Sequence, residues 1–140
     1  MLLSGYSGTP LARKLGIKES SRVRLINEPD YYLELFTDMP DNVEFLKDNT
    51  SKKDLIHFFT RESSELHQNI ISLRKEIFPN GILWISWPKM ASKVPTDIKE
   101  DLIRNLALRN GLVDVKVCSV DEIWSGLKLV IPLIDRKMLK

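Results

Sequence analysis

Cysteine is almost missing: the 140-residue chain has one, Cys118, beside two histidines, His57 and His67. One thiol cannot close an internal disulfide, and one thiol with two imidazoles cannot complete a closed structural zinc site, so neither redox chemistry nor a metal is expected. An excess of either charge is missing too. The 21 Lys and Arg face 19 Asp and Glu, leaving a formal net charge of +2, too small and too scattered for the footprint of a nucleic-acid binder, so no nucleic-acid partner is expected. No apolar run approaches the roughly 20 residues of a membrane span, and Met1-Leu2-Leu3 is followed at once by Ser, Gly, Tyr and Ser rather than by an export signal. No membrane partner and a cytoplasmic location are the expectation.

What is present is ordinary for a globular chain: 43% of the residues are hydrophobic, enough for one sizeable core. A single α/β domain over 1–140 is expected, with the leading loop and a short helix, residues 1–17, docked on it. The organising stretch is Gly81-Ile82-Leu83-Trp84-Ile85-Ser86-Trp87-Pro88-Lys89. Ile82 to Ile85 are apolar on both faces of any strand they form, which places that strand in the middle of a covered sheet. Pro88 cannot donate to a ladder, so the strand ends there and delivers Trp87 and Lys89 to one rim.

Taken in order, Thr9-Pro10-Leu11 opens a short helix that Gly16 closes, and Arg22 to Asn27 reads as a first strand whose Arg24 is out of place in a buried sheet. A short helix through Tyr31 and Phe36, a brief strand over 43–46 and a third strand over 55–59 follow. Leu66, Ile70, Leu73 and Ile77 form the buried stripe of a helix capped by Ser63 or Ser64. Pro79-Asn80-Gly81 turns the chain into the central strand. Thr96 or Asp97 opens another helix, which Gly111 closes, and strands over 115–120 and 127–131 suit a sheet edge. The last two strands are too close to hold a helix between them and should be antiparallel. The fold class expected is an α/β three-layer Rossmann-like sandwich on a mostly parallel sheet of about six strands. The awkward step is 47–53, where seven residues must recross the sheet without a helix.

Strand-helix repeats ending in an antiparallel pair resemble the class I methyltransferase fold, truncated by its third strand and helix, and Phe78-Pro79-Asn80-Gly81-Ile82-Leu83 is similar to the turn before that fold's fifth strand. The blocks Gly5-Tyr6-Ser7-Gly8-Thr9-Pro10-Leu11-Ala12, Trp87-Pro88-Lys89, Val94-Pro95-Thr96-Asp97 and Trp124-Ser125-Gly126-Leu127-Lys128-Leu129-Val130 resemble those of a small bacterial family of unknown function. That second resemblance implies no activity.

A methyltransferase-like cofactor site needs a glycine-rich turn after the first strand and an acid after the second. The turn here is Asn27-Glu28-Pro29-Asp30, without glycine, and Asp48 reads as loop. No cofactor is therefore expected, and no catalytic residue is assigned. His57 reads as a core histidine, His67 as exposed, and Cys118 as a structural thiol.

The candidate site follows from topology, because open α/β sheets bind ligands beyond the carboxyl ends of their strands. Trp87, Lys89 and Ser92 leave the central strand there, Thr96 stands at an expected helix start, and Trp124, Ser125, Gly126 and Lys128 follow the loop before the last strand. Tyr6 and Ser7 of the leading loop complete the set. Tryptophan faces, a lysine and helix amides suit a small anionic or nucleotide-like ligand. The plainer reading is that both tryptophans pack the top of the core and Lys89 is solvated. The function expected is a non-catalytic module binding such a ligand, or another protein, at this rim. A divergent transferase and a structural or assembly protein are the alternatives, and an enzyme would need a sheltered titratable group among Asp97, Asp121 and Glu122.

Overall fold

The apolar run at 82–85 lies where its two-faced hydrophobicity requires. In the computed structural model, which describes residues 9–137, it belongs to strand β4 (Ile77–Pro88), where Leu83, Trp84 and Ile85 are wholly buried. The other strands are β1 (Arg22–Ile26), β2 (Glu44–Phe45), β3 (Lys53–Phe59), β5 (Val113–Ser119) and β6 (Trp124–Val130), in the order β2-β1-β3-β4-β6-β5. Neighbours from β2 to β4 pair parallel, and β6 is antiparallel to both β4 and β5. The expected α/β sheet with an antiparallel C-terminal pair is the one that forms.

Two layers cover it. On one face, α2 (Ser63–Glu76) and α3 (Glu100–Arg109) set Leu66, Ile70, Leu73, Ile103 and Leu106 against Ile56, Phe58, Leu83, Ile85, Leu127 and Leu129. On the other, α1 (Leu11–Leu15) sets Ala12 and Leu15 against Val23, Leu55 and Trp84. Gly16 ends α1 at φ +91, a left-handed conformation that glycine adopts without penalty. The Leu15 carbonyl, left without a helical partner where α1 ends, then accepts the Trp84 indole N–H at 2.7 Å in the buried interior, which fixes α1 to the centre of the sheet. A four-residue 3-10 turn, Tyr32–Leu35, stands in the same layer where a short helix through Tyr31 and Phe36 was expected.

Four further differences have local causes. β6 is not at the edge: it lies between β4 and β5, with Leu127 and Leu129 fully buried. Pro79 to Gly81 is not a turn but an irregularity inside β4, across which the register moves from Lys53↔Ile77 to Leu55↔Ile82. α3 begins at Glu100 rather than near Thr96, because Asp97 is engaged elsewhere. The seven-residue return is possible because β2 pairs only with Arg22 and Val23 at the start of β1. The chain therefore never leaves the amino end of the sheet and needs no helix to come back.

That amino end also explains the charge in β1. Arg24 meets the buried Glu76 carboxylate at 2.6 Å, and the fully buried Lys53 meets the same group at 3.0 Å. Lys53 donates to the Ser51 carbonyl at 2.6 Å, and Asp48, 3.6 Å from it, accepts from Ser51 and Thr50. Asp48 thus closes a loop at the pole opposite the carboxyl ends of the strands.

Candidate functional site

The strand order changes direction between β1 and β3, since the chain steps outward from β1 to β2 and returns to place β3 on β1's other side. In open sheets of this kind a crevice opens beyond the carboxyl ends at such a point. A cavity of about 860 Å³ lies there, bordered by Asn27 and Tyr31 after β1, by Phe59 at the end of β3 and Thr60 to Glu62 after it, by Glu65 and Gln68 of α2, and by Ile123 just before β6 and Trp124 at its start.

Asn27 forms its corner. Its φ of +58 is the left-handed conformation usual for glycine, which asparagine tolerates better than most residues, so the glycine-free turn is still made. Its amide donates to the Phe59 carbonyl and to the Glu65 carboxylate, each at 3.0 Å, tying the ends of β1 and β3 to α2. The other Glu65 oxygen accepts the Thr60 hydroxyl at 2.6 Å. Glu65 thus stands half-buried in the wall with both oxygens engaged, and Glu62 stands exposed beside it.

The far wall is aromatic. Trp124 meets Phe59 edge to face with centroids 5.0 Å apart. Tyr31 donates its hydroxyl to the buried Asp121 at 2.6 Å, and the other oxygen of Asp121 accepts the N–H groups of Ile123 and Trp124 at 2.8 and 2.7 Å. One carboxylate thereby shapes the turn before β6 and clasps it to the loop after β1. Burial, and then the Asp121 carboxylate, push the Tyr31 hydroxyl up to about 12, so it keeps its proton near neutrality and works as a donor. Behind this wall His57 lies between the Tyr32 hydroxyl at 2.8 Å and the Ser86 hydroxyl at 2.7 Å, stacked on Phe59. Burial lowers His57 to about 3, leaving a neutral imidazole that orders the wall without reaching the cavity.

The residues expected at one rim divide between places. Trp87 and Trp124 both stand at the carboxyl end, but Trp87 pairs with Ser125 and Pro88 with Trp124, so the tryptophans point to opposite faces of the sheet. Trp87, 8% exposed, and Thr96 line a second cavity of about 640 Å³ with Met90, Lys93 and Val94. Val94 is shared by both cavities. Thr96 has no helix behind it: its hydroxyl donates to the Arg61 carbonyl at 2.7 Å. Asp97 caps α2 instead of α3, taking the Ser63 N–H and hydroxyl at 2.7 Å each. Lys89 reaches the Ser119 hydroxyl at 2.5 Å, and the Ser92 hydroxyl folds back on the Lys89 carbonyl at 2.6 Å. Ser125 and Gly126 lie within the ladder, and a side chain at Gly126 would press on the Trp84 ring at 3.0 Å. Lys128 pairs with Trp84, four residues inside the rim. Tyr6 and Ser7 lie outside the described residues.

Of the described residues lining the cleft, only Trp124 had a place in the sequence-based site; Asn27, Tyr31, Phe59, Glu62 and Glu65 were among those missed. The legible signal was Asn27 itself, a left-handed-tolerant residue directly after a strand, where such folds make their tightest turn. Among the described residues no three His, Cys, Asp or Glu side chains gather as a metal site, and no helix is long and apolar enough to cross a membrane.

No protein-family model matches the chain, and no curated protein does. Solved structures do. The ribosomal protein L11 methylase from Lactobacillus delbrueckii subsp. bulgaricus superposes with a TM-score of 0.57 at 12% identity, over 86% of this chain and 74% of that one. A SAM-dependent methyltransferase from Aquifex aeolicus gives 0.55 at 17% identity, over 87% and 88%. The magnesium protoporphyrin IX methyltransferase of Synechocystis, solved with bound SAM, gives 0.54 at 12% identity, over 87% and 74%. Identities this low establish a methyltransferase-like, Rossmann-like fold and nothing finer.

Proposed function

We propose that the chain is a small-molecule-binding module of methyltransferase-like form, whose ligand is a flat ring bearing hydroxyl or amino donors, as a nucleoside does. The observation that carries this is the composition of the cleft between β1 and β3: aromatic surfaces from Tyr31, Phe59 and Trp124 stand opposite the carboxylates Glu62 and Glu65. Aromatic walls hold a ring, and carboxylates accept from donors while repelling anions. With Glu62 and Glu65 set against the single cation Arg61 in the lining, the balance of charge within the expected choice of anionic or nucleotide-like ligand favours an uncharged nucleoside over an anion. Of the residues expected from the sequence, Trp124 belongs to this proposal. Trp87 and Thr96 would serve only a ligand in the neighbouring cavity.

A divergent methyltransferase is the second reading, favoured by the SAM and SAH named with several neighbours of the same fold. Against a cofactor held in the usual way stand the glycine-free turn at Asn27-Glu28-Pro29-Asp30 and the two-residue β2, which places no acid at the carboxyl end. Calorimetric titration with adenosine, S-adenosylhomocysteine and S-adenosylmethionine separates the readings. The binding module predicts that adenosine binds and that Trp124→Ala weakens it at least tenfold, whereas Lys89→Ala leaves it unchanged. Tight binding of S-adenosylmethionine alone, with adenosine inert, would favour the enzyme. Heat from none of the three would sink both.

A further inference from the structure

Cations that look dispersed along the sequence gather on the α1 side of the β5–β6 pair. A cavity of about 510 Å³ there is lined by Thr9, Arg13, Lys14, Lys116, Val117, Cys118 and Ser119, so that among the described residues its lining holds three cations and no carboxylate. Lys14 is held toward it by donating to the Ser119 carbonyl at 3.3 Å. Lys116 and Lys128 are directly opposite one another in the ladder, and like charges so placed destabilise a sheet. Burial depresses the Lys128 ammonium, and Lys116 and Lys18 add to the effect. Among the described residues no carboxylate forms an ion pair with Arg13, Lys18, Lys116 or Lys128. Cys118 does not compensate them either, because burial pushes its thiol up and keeps it protonated near neutrality.

We propose that this face is a binding site for a compact anion carrying two or more phosphoryl groups, held by Arg13, Lys14 and Lys116 with Lys128 adjoining. A guanidinium fork and ammonium point charges are the side chains that suit adjacent phosphoryl oxygens. Two features favour a compact ligand over a nucleic-acid strand. The cations border one cavity rather than a track, and toward the rim Asp121 and Glu122 act on Lys89 with the opposite sign, ending the positive surface within a few residues. This site is separate from the cleft between β1 and β3 and takes an anion, which the cleft disfavours.

The test is calorimetry and thermal denaturation of the full chain with inorganic tripolyphosphate at low salt, without divalent cations. Tripolyphosphate binds and raises the melting temperature, and both effects fade as salt is added. The double variant Arg13→Gln/Lys116→Gln loses at least tenfold in affinity, yet without the anion it melts no lower than the parent, because the Lys116–Lys128 repulsion is relieved. Adenosine titration of the double variant stays at the parent's value, whatever that value is, which separates this site from the cleft. Absence of any tripolyphosphate effect on the parent overturns the proposal, as does unchanged affinity in the double variant. Displacement of tripolyphosphate by a twelve-nucleotide DNA at a lower concentration overturns the compact-ligand assignment.

Discussion

The two ends of the sheet both carry half-hidden charge, and only at the carboxyl end does that charge border the cavity of about 860 Å³ between β1 and β3. At the amino end Glu76 receives Arg24 and Lys53, Asp48 approaches Lys53, and the Ser51 carbonyl accepts a hydrogen bond from the Lys53 ammonium, so each charged group is met by a neighbour. At the carboxyl end Glu62 and Glu65 border an open volume with Tyr31 and Trp124. Burial of charge therefore does not distinguish a site in this fold. What does is position: the amino pole is where β2 stops short and its loop folds back, and the carboxyl pole is where the strand order reverses and leaves space.

The comparison breaks most visibly at the closed end. Lys53→Met leaves Glu76 buried with Arg24 as its remaining partner, so the loss is a part of the about 3–5 kcal/mol that a fully stranded buried charge costs. Urea denaturation measures this, while adenosine binding at the other end stays unchanged in the folded variant. A loss below about 1 kcal/mol would mean that water or rearrangement already screens the pair.

Between the poles, His57 gives the next effect through pH. Its folded value, lowered by burial to about 3, lies below the ordinary value of 6.5. The unfolded chain therefore takes a proton there that the folded chain refuses. Stability is full above pH 6.5 and falls as pH drops toward 3, by about 2 kcal/mol between pH 7 and 5 from this group alone. His57→Gln should flatten that slope in urea denaturation at the two pH values. An unchanged slope would place the proton elsewhere.

What could be read from the residues divides along similar lines. The central strand was legible because Ile82 to Ile85 are apolar on consecutive positions, a pattern that only a covered strand tolerates. The stripe Leu66, Ile70, Leu73 was legible by its helical spacing. The closing pair was assigned to the edge from its more polar face, where Lys116 and Cys118 alternate with Val115 and Val117; β5 does lie at the edge, but β6 lies inside it. Gly126 is small so that the Trp84 ring can lie against it, and that requirement comes from another strand. The pairing of the tryptophans failed by parity: Trp87 and Trp124 reach the same rim, but antiparallel register sends them to opposite faces, and register is not written in either segment alone. Tyr31 and Asp121, 90 positions apart, meet only in the folded chain.

That contact offers a finer probe of the open end. Tyr31→Phe removes the donor from Asp121, a loss of about 1 kcal/mol for a part-exposed hydrogen bond. It also loosens the turn carrying Trp124, so adenosine affinity should fall more than stability does. Equal losses would reduce Tyr31 to a packing residue.

The smallest expected change comes from Asp97, and it bears on why the carboxyl end was misread. Thr96 and Asp97 resemble a helix start because both are capping residue types, yet α3 begins at Glu100 and the Asp97 carboxylate caps Ser63 at the first residue of α2. The Ser63 hydroxyl and N–H hold that carboxyl below its usual range. The stabilisation is present above the ordinary carboxylate range and is lost as pH falls below it. Asp97→Asn should lower the urea midpoint slightly at neutral pH and converge with the parent in acid, where Asp97 is protonated. If Asp97 instead served the start of α3, substituting it would shorten α3 and leave Ser63 unaffected. Hydrogen exchange decides between the two, because the true cap protects the Ser63 amide and the alternative protects the amides of 100–102.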